Sequence, residues 1–241
     1  MSRRALAAQF AAEVRMTLER GESLLVTFGI PIGLLVFFSE VPVLPTGTAR
    51  RIDFLAPGVL SLAVMSTAMV SLGIATGFER SYGVLKRLGA TPLGRRRLLA
   101  AKIAAVLAVE CVQVLVIGGI AAGLGWRPPS STGLGVLAAL VATVAFGGIG
   151  LLLAGTLRAE VNLAVVNGLY VLLLLLGGIV FPLDRLGGGA PVARALPAGA
   201  LSEVLHGTLG AGGGAPAGAW AALGAWAVLA PALAAATFRF E

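Results

Sequence analysis

Residues 134–157 read LGVLAALVATVAFGGIGLLLAGTL, twenty-four positions without one acidic, basic or amide side chain. About 20 consecutive apolar residues suffice for a helix to cross the hydrocarbon core of a bilayer. The run is too long and too evenly apolar to alternate as a strand. Toward the C-terminus, Leu163–Phe181 and Ala217–Ala236 repeat the pattern; toward the N-terminus, Leu98–Leu124 and Phe54–Phe78 do so. Leu24–Phe38 is shorter and carries Pro31, which predicts a kinked or thinned first span. The fold class expected is an all-α integral membrane protein with six transmembrane helices, a single transmembrane domain over residues 1–241. Composition agrees: 58% of residues are hydrophobic, 12% charged, and mean hydropathy is +0.96. Soluble domains run near 25% charged, so a soluble catalytic domain has no room here. One cysteine, Cys111, and one histidine, His206, exclude a disulfide framework and a histidine-cluster metal site.

The first 22 residues lack the small-residue cleavage site of a signal peptide. Leu6, Phe10, Val14 and Leu18 recur every fourth position, while Glu13, Arg15, Glu19 and Arg20 lie elsewhere on the wheel. This predicts an amphipathic helix in the membrane interface. The net charge of +7 follows topology: the loops sort 13 basic residues to one side and five to the other. The positive-inside rule then puts both termini in the cytoplasm, with residues 79–102 as the most basic cytoplasmic loop. The Arg-rich, Ala/Gly/Leu-rich composition hints at a GC-rich bacterial genome, hence a bacterial plasma membrane. Nucleic acid is not an expected partner; membrane lipids are.

Between spans two and three the chain reads ERSYGVLKRLGATPLGRRR from Glu79 to Arg97. Val84, Leu85 and Leu88 make a short apolar face opposed by Arg80, Lys86 and Arg87. Gly89 suits the left-handed position past a helix end. Thr91 suits an N-cap and Pro92 the first turn of the next helix. The stretch is either a short helix that a partner protein grips or a charged loop that only fixes orientation. Beyond span five, residues 182–216 are rich in proline and glycine yet weakly apolar. They read as short re-entrant or interfacial helices on the outer side, or as an external loop.

The stretch from Glu79 resembles the segment E-R-x-x-G-x-L-x-x-L-x-x-T/S-P-L of type 2 ABC-transporter permeases. The resemblance extends over the chain: an amphipathic leading helix, six spans, then FPLDRL and ALPAGALSEVL after span five, in the family's order. It implies that two permease chains pair, as a homodimer or heterodimer, and that each docks one cytoplasmic ATPase, two copies in all. It also implies that the helix after span two is the coupling helix. The residues carried over are Glu79, Arg80, Gly83, Leu85, Leu88, Thr91 and Pro92. The external segment, with Pro182, Pro197 and Glu203 in its two motifs, corresponds to re-entrant helices capping the translocation path. Glycan exporters of this family are aromatic-rich, whereas this chain has 15 aromatic residues, which argues against a carbohydrate cargo. The phosphate-cradling G-x-x-x-x-G-K-S/T loop is missing. The chain is therefore expected to bind no cofactor and to be no enzyme by itself, with ATP and Mg on the partner ATPase.

Inside the spans, Glu110 and Gln113 lie three apart on one helix face, and Asn162 and Asn167 lie near the start of span five. An ionisable group at mid-membrane costs about 2.5–3.5 kcal/mol on insertion scales and should face the bundle or a cavity. These four are the candidate translocation-path residues, with packing or a hydrogen-bonded joint as the other reading, and the favoured one, for each pair. Gly29-x-x-x-Gly33, Gly73-x-x-x-Gly77 and Gly119-x-x-x-Gly123 match a helix-contact motif that 34 glycines produce readily by chance. Cys111 reads as a small apolar packer and His206 as a polar residue of the outer segment. The function expected is the permease subunit of an ATP-driven exporter of a hydrophobic or amphipathic molecule (drug, lipid or secondary metabolite). The alternative is an ion-gradient-driven transporter using Glu110 as a proton site. A lipid-modifying enzyme would need an acid/base or nucleophile set, and none is visible.

Overall fold

The computed structural model describes residues 11, 15, 25–41, 50–89, 95–179, 182–210 and 214–238. All regular structure among these residues is helical. A π-helical turn at Leu25–Gly29 leads into α1 (Ile30–Glu40). Next come α2 (Ile52–Ser81), whose middle, Ser66–Ser71, is π-helical, and the short α3 (Val84–Gly89). Then follow α4 (Arg95–Gly123), α5 (Thr132–Thr156) and α6 (Ala159–Leu176). A 3-10 segment at Leu183–Gly189 precedes α7 (Ala190–Ala195), α8 (Pro197–Leu209) and α9 (Ala217–Thr237).

Five of the described helices, α2, α4, α5, α6 and α9, are long and apolar enough to cross a membrane. The expected first span appears only as the π turn and the eleven residues of α1. At 1.5 Å per residue this is roughly 24 Å, short of the roughly 30 Å core, so six spans are not reached among the described residues. Pro31 explains the irregular start, because a proline at that position has no N–H for the Thr27 carbonyl. Gln113 Nε2 donates to that carbonyl instead, at 2.8 Å. The predicted interfacial helix over residues 1–22 lies outside the described residues, except for Ala11 and Arg15, which are helical and exposed.

Helix boundaries move where polar groups find partners. Span two runs on to Ser81 because Glu79 and Arg80 are bonded inside the protein. Span five starts at Ala159, four residues before the apolar run, because Asn162 is buried against α2 and donates to the Gly73 carbonyl at 2.9 Å. It stops at Gly177–Gly178, where Gly178 turns left-handed with φ 70°.

The centre of the bundle is α5, packed against α9 on one side and the second half of α2 on the other, with α8 beside it. Small residues set this crossing. A Cβ on Gly150 would lie 2.7 Å from the Met69 carbonyl oxygen, and one on Gly148 2.5 Å from the Pro231 nitrogen. A Cβ on Gly73 would lie 3.1 Å from the Gly150 Cα, and one on Gly77 2.6 Å from Asn162 Nδ2. Of the residues in the three glycine motifs, Gly73 and Gly77 have this contact role, whereas a Cβ on Gly33, Gly119 or Gly123 would meet nothing within 4 Å. The most apolar stretch of α2 is 72% buried, that of α6 or α9 only 22%, which leaves the outer helices with broad apolar faces turned outward.

The loops sort to two ends. Ser81–Gly89, Leu157–Arg158 and Phe238 share one end, where Arg80 reaches Leu157 and Phe238 covers Gly155. Arg50–Asp53, Gly125–Ser131 and residues 177–179 and 182–210 share the other, joined by Arg50 to the Gly125 carbonyl and Ser131 to the Thr208 carbonyl. Replacing Gly150 by Val should drive a side chain into the backbone of α2 and lower stability by about 1–3 kcal/mol. Gly33→Ala on α1, where space is open, should be neutral or stabilising by up to about 1 kcal/mol. Thermal unfolding in a mild detergent compares the two; equal effects would refute the crossing described here.

Candidate functional site

The stretch from Glu79 is built around three charges and a glycine. Glu79 Oε2 lies 2.6 Å from Lys102 Nζ, the Lys102 side chain being 1% exposed. Charge sorting along the sequence assigns Lys102 to a basic loop. The structure corrects this: it sits inside the bundle on the second turn of α4, neutralised by the end of α2. Arg80 spends its guanidinium on the C-terminus of α5, donating to the Gly155 carbonyl at 2.6 Å and to the Leu157 carbonyl. The last carbonyls of a helix have no partners within it, and the planar fork of arginine can serve two at once. The end of α2 is thereby fastened to α4 by an ion pair and to α5 by a cap.

α2 then terminates. The Tyr82 N–H bonds the Phe78 carbonyl and the Gly83 N–H the Arg80 carbonyl, and Gly83 takes φ 69°, the left-handed conformation that glycine adopts without penalty. The left-handed glycine of this stretch is thus Gly83. Gly89, expected to fill that position, is the last residue of α3. Burial corrects a second expectation. Leu85 is fully buried, so its side chain is not part of the surface that α3 turns outward. The side chains turned outward are Tyr82, Val84, Lys86 and Arg87. Thr91, Pro92 and the Leu88 side chain lie outside the described residues.

The intramembrane polar residues do not converge on one point. Gln113 is a joint: its amide bonds the Thr27 carbonyl, and its oxygen accepts from Thr67 Oγ1 at 2.8 Å, in the π-helical part of α2. Asn162 ties α6 to α2, and Asn167 faces outward and bonds the Leu163 carbonyl of its own helix. Glu110 is 5% exposed and meets Thr143 Oγ1 through Oε2. Among the described residues no group hydrogen-bonds its Oε1. Glu110 also lines a cavity of about 490 Å³ between α4 and α5, floored by Leu60 and Val64 of α2 and Leu205 and Leu209 of α8. Cys111 lines the same cavity and is exposed, contrary to the packing role expected of it. Trp126 also lines it, its indole N–H donating to the Leu209 carbonyl.

Residues 182–210, after α6, are folded. Pro182 precedes the 3-10 turn, and Pro197 opens α8, whose residues Leu201, Val204 and Leu205 are buried against α2, α5 and α9. Glu203 and Asp184 both bond Arg194, at 2.8 and 2.5 Å. His206 Nε2 lies 3.1 Å from the Phe54 carbonyl, Nδ1 2.7 Å from the Ser202 carbonyl, and its ring packs on Phe54. Among the described residues no cluster of three metal-ligating side chains occurs.

Removing one member of the buried ion pair, as in Glu79→Gln, should cost about 3 kcal/mol. The double variant Glu79→Leu/Lys102→Met should recover most of that loss in the same unfolding assay. Burial pushes the His206 imidazole below its ordinary value of 6.5, against the opposing pull of the Ser202 and Phe54 carbonyls. The fold therefore favours neutral His206, and the stability linked to it is present above pH 6.5 and lost as pH falls below. Protection factors in α8, with the intrinsic pH dependence of amide exchange divided out, should fall on acidification in the native protein and stay flat in His206→Gln; identical profiles would refute the linkage.

Comparison with known families places these contacts in a transporter. A model of the ABC-2 type transporter family matches residues 5–197, most of the chain. No curated protein sequence matches it significantly. Domains of this family are membrane permease components that work with an ATPase partner and are generally not catalytic themselves. The matched region contains the clamped end of α2, α3 and four of the five helices long enough to span a bilayer. The chain belongs to the ABC-2 type transporter family, as a multi-pass membrane permease subunit of an ABC transporter.

Proposed function

We propose that this permease is the membrane half of an exporter in a bacterial plasma membrane, with both termini and α3 on the cytoplasmic side. A separate ATPase drives it, two copies per complex, with ATP and Mg bound there, and a second permease chain completes the path. The cargo is a hydrophobic or amphipathic molecule, in keeping with an apolar, aromatic-poor interior. Residues 182–210 form the outer cap of the path.

The observation that carries this reading is the junction at Glu79–Gly89. A short helix hangs from α2 by one left-handed glycine, and a few residues earlier α2 is bonded to α4 and α5. A push on α3 by a closing ATPase is therefore delivered to three long helices together. The docking surface proposed is Tyr82, Val84, Lys86 and Arg87, with Leu85 as the buried root. Glu79 and Arg80 transmit, Gly83 sets the angle, and Leu88, Thr91 and Pro92 complete the coupling stretch that the family resemblance implies. The basic character of this face calls for an acidic groove on the ATPase.

Val84→Asp/Arg87→Glu should lose ATPase co-purification and at least tenfold of the transport rate, with unfolding changed by less than about 0.5 kcal/mol, as is usual at exposed sites. Leu85→Asp should instead lower stability. Full transport in the double variant would sink the docking surface. Transport that persists without any ATPase, and fails in Glu110→Gln, would establish the gradient-driven alternative.

A further inference from the structure

The cavity between α4 and α5 opens sideways. Its lining includes outward-facing Leu115 of α4 and Val136 and Leu140 of α5, on the faces turned toward lipid. Glu110 lies 15 residues from the start of α4 and 13 from its end, so at 1.5 Å per residue it is about 20 Å from either end, near mid-membrane. The walls are hydrocarbon apart from Glu110 and a few small polar groups, and among the described residues no other charged side chain lines the cavity. Such a carboxyl group is costly at this depth and persists where something answers it.

Three kinds of occupant differ in what they offer the carboxyl group. A phospholipid keeps its headgroup at the bilayer surface, about 15 Å away, so its acyl chain would fill the groove and leave Glu110 unanswered. A hydrophobic anion meets Glu110 unfavourably. A hydrophobic cation satisfies both features, since its apolar body replaces lipid against Leu60, Val64, Leu205 and Leu209 while its charge lies beside Glu110, the one charged residue of the lining. The low dielectric of the site makes that attraction far stronger than it is in water. A volume of about 490 Å³ also falls within the usual range for sites that hold drug-sized molecules, about 300–1,000 Å³.

We propose that the lateral groove between α4 and α5 is a binding site for a hydrophobic cation drawn from the bilayer, a lipophilic amine or onium ion, with Glu110 reading its charge. As a cargo site it rests on the exporter reading; as a binding site it stands without it.

Trp126 reports on the groove, and the only other tryptophans are Trp220 and Trp226, so a Trp220→Phe/Trp226→Phe background isolates its fluorescence. The full chain in nanodiscs is titrated with tetraphenylphosphonium and with tetraphenylborate, which have the same shape and opposite charge. The expected result is a saturable Trp126 response to the cation alone, weakened at least tenfold in Glu110→Gln. Ala139→Phe, which fills the groove and keeps the carboxyl group, should abolish it and covers the case in which Glu110→Gln fails to fold. Equal responses to cation and anion, or an unchanged response in both variants, would overturn the proposal and assign the groove to a lipid chain. Oxidative crosslinking of two copies through Cys111 would also overturn it, since a second permease would then cover this face. ATP-driven transport of the cation by the assembled complex is measured separately. Binding without transport keeps the site and removes its cargo role. Transport with Trp126 silent removes the site and keeps the exporter.

Discussion

The crossing of α2 over α5 at Gly73 and Gly150 is the contact that fixes the other helices. Within a bilayer, lipid is as apolar as leucine, so helices associate through close packing and interhelical hydrogen bonds. Here neither backbone has a side chain to hold the other off, and Gly148 lets Pro231 of α9 approach α5 equally closely. With α2, α5 and α9 fixed, Gly77 leaves room for Asn162, and Asn162 bonds the Gly73 carbonyl. The position of α6 follows from that bond.

The same crossing brings the end of α2 to the end of α5, where Arg80 can reach the last carbonyls. The Glu-Arg pair that opens the family-like stretch is consequently structural before it is anything else. One residue neutralises a lysine that would be untenable alone in the interior, and the other completes a helix that would end unsatisfied. That gives a short exposed helix a stiff mounting. Gln113 follows the same logic at mid-depth, replacing the donor that Pro31 removes from the Thr27 carbonyl. Glu110 differs, because Thr143 meets only one of its oxygens and its helix borders a groove.

Several features are legible in the sequence for stated physical reasons. A run such as 134–157 must be helical because hydrocarbon offers no partner to backbone N–H and C=O groups. The family resemblance rests on the residues from Glu79 to Leu93 and on the order of the elements, and the family match over 5–197 agrees with it. That Glu110 and Gln113 share a buried face follows from spacing alone. The start of α6 escapes a reading by apolarity, because Asn162 is polar and its bond to α2 is invisible along the chain.

Helicity, membrane embedding and the likeness to a permease could thus be read from the chain, since length, hydropathy and local motif are properties of sequence neighbours. Partnership between distant residues could not, and it emerged with the packing of the bundle. Packing turned Leu85 inward, took Lys102 from a basic loop into an ion pair, moved the left-handed glycine from 89 to 83, and opened a groove beside Glu110. Each depends on which helix lies across from which, and at those crossings the deciding residues are glycines, whose lack of a side chain carries almost no signal in a chain that has 34 of them.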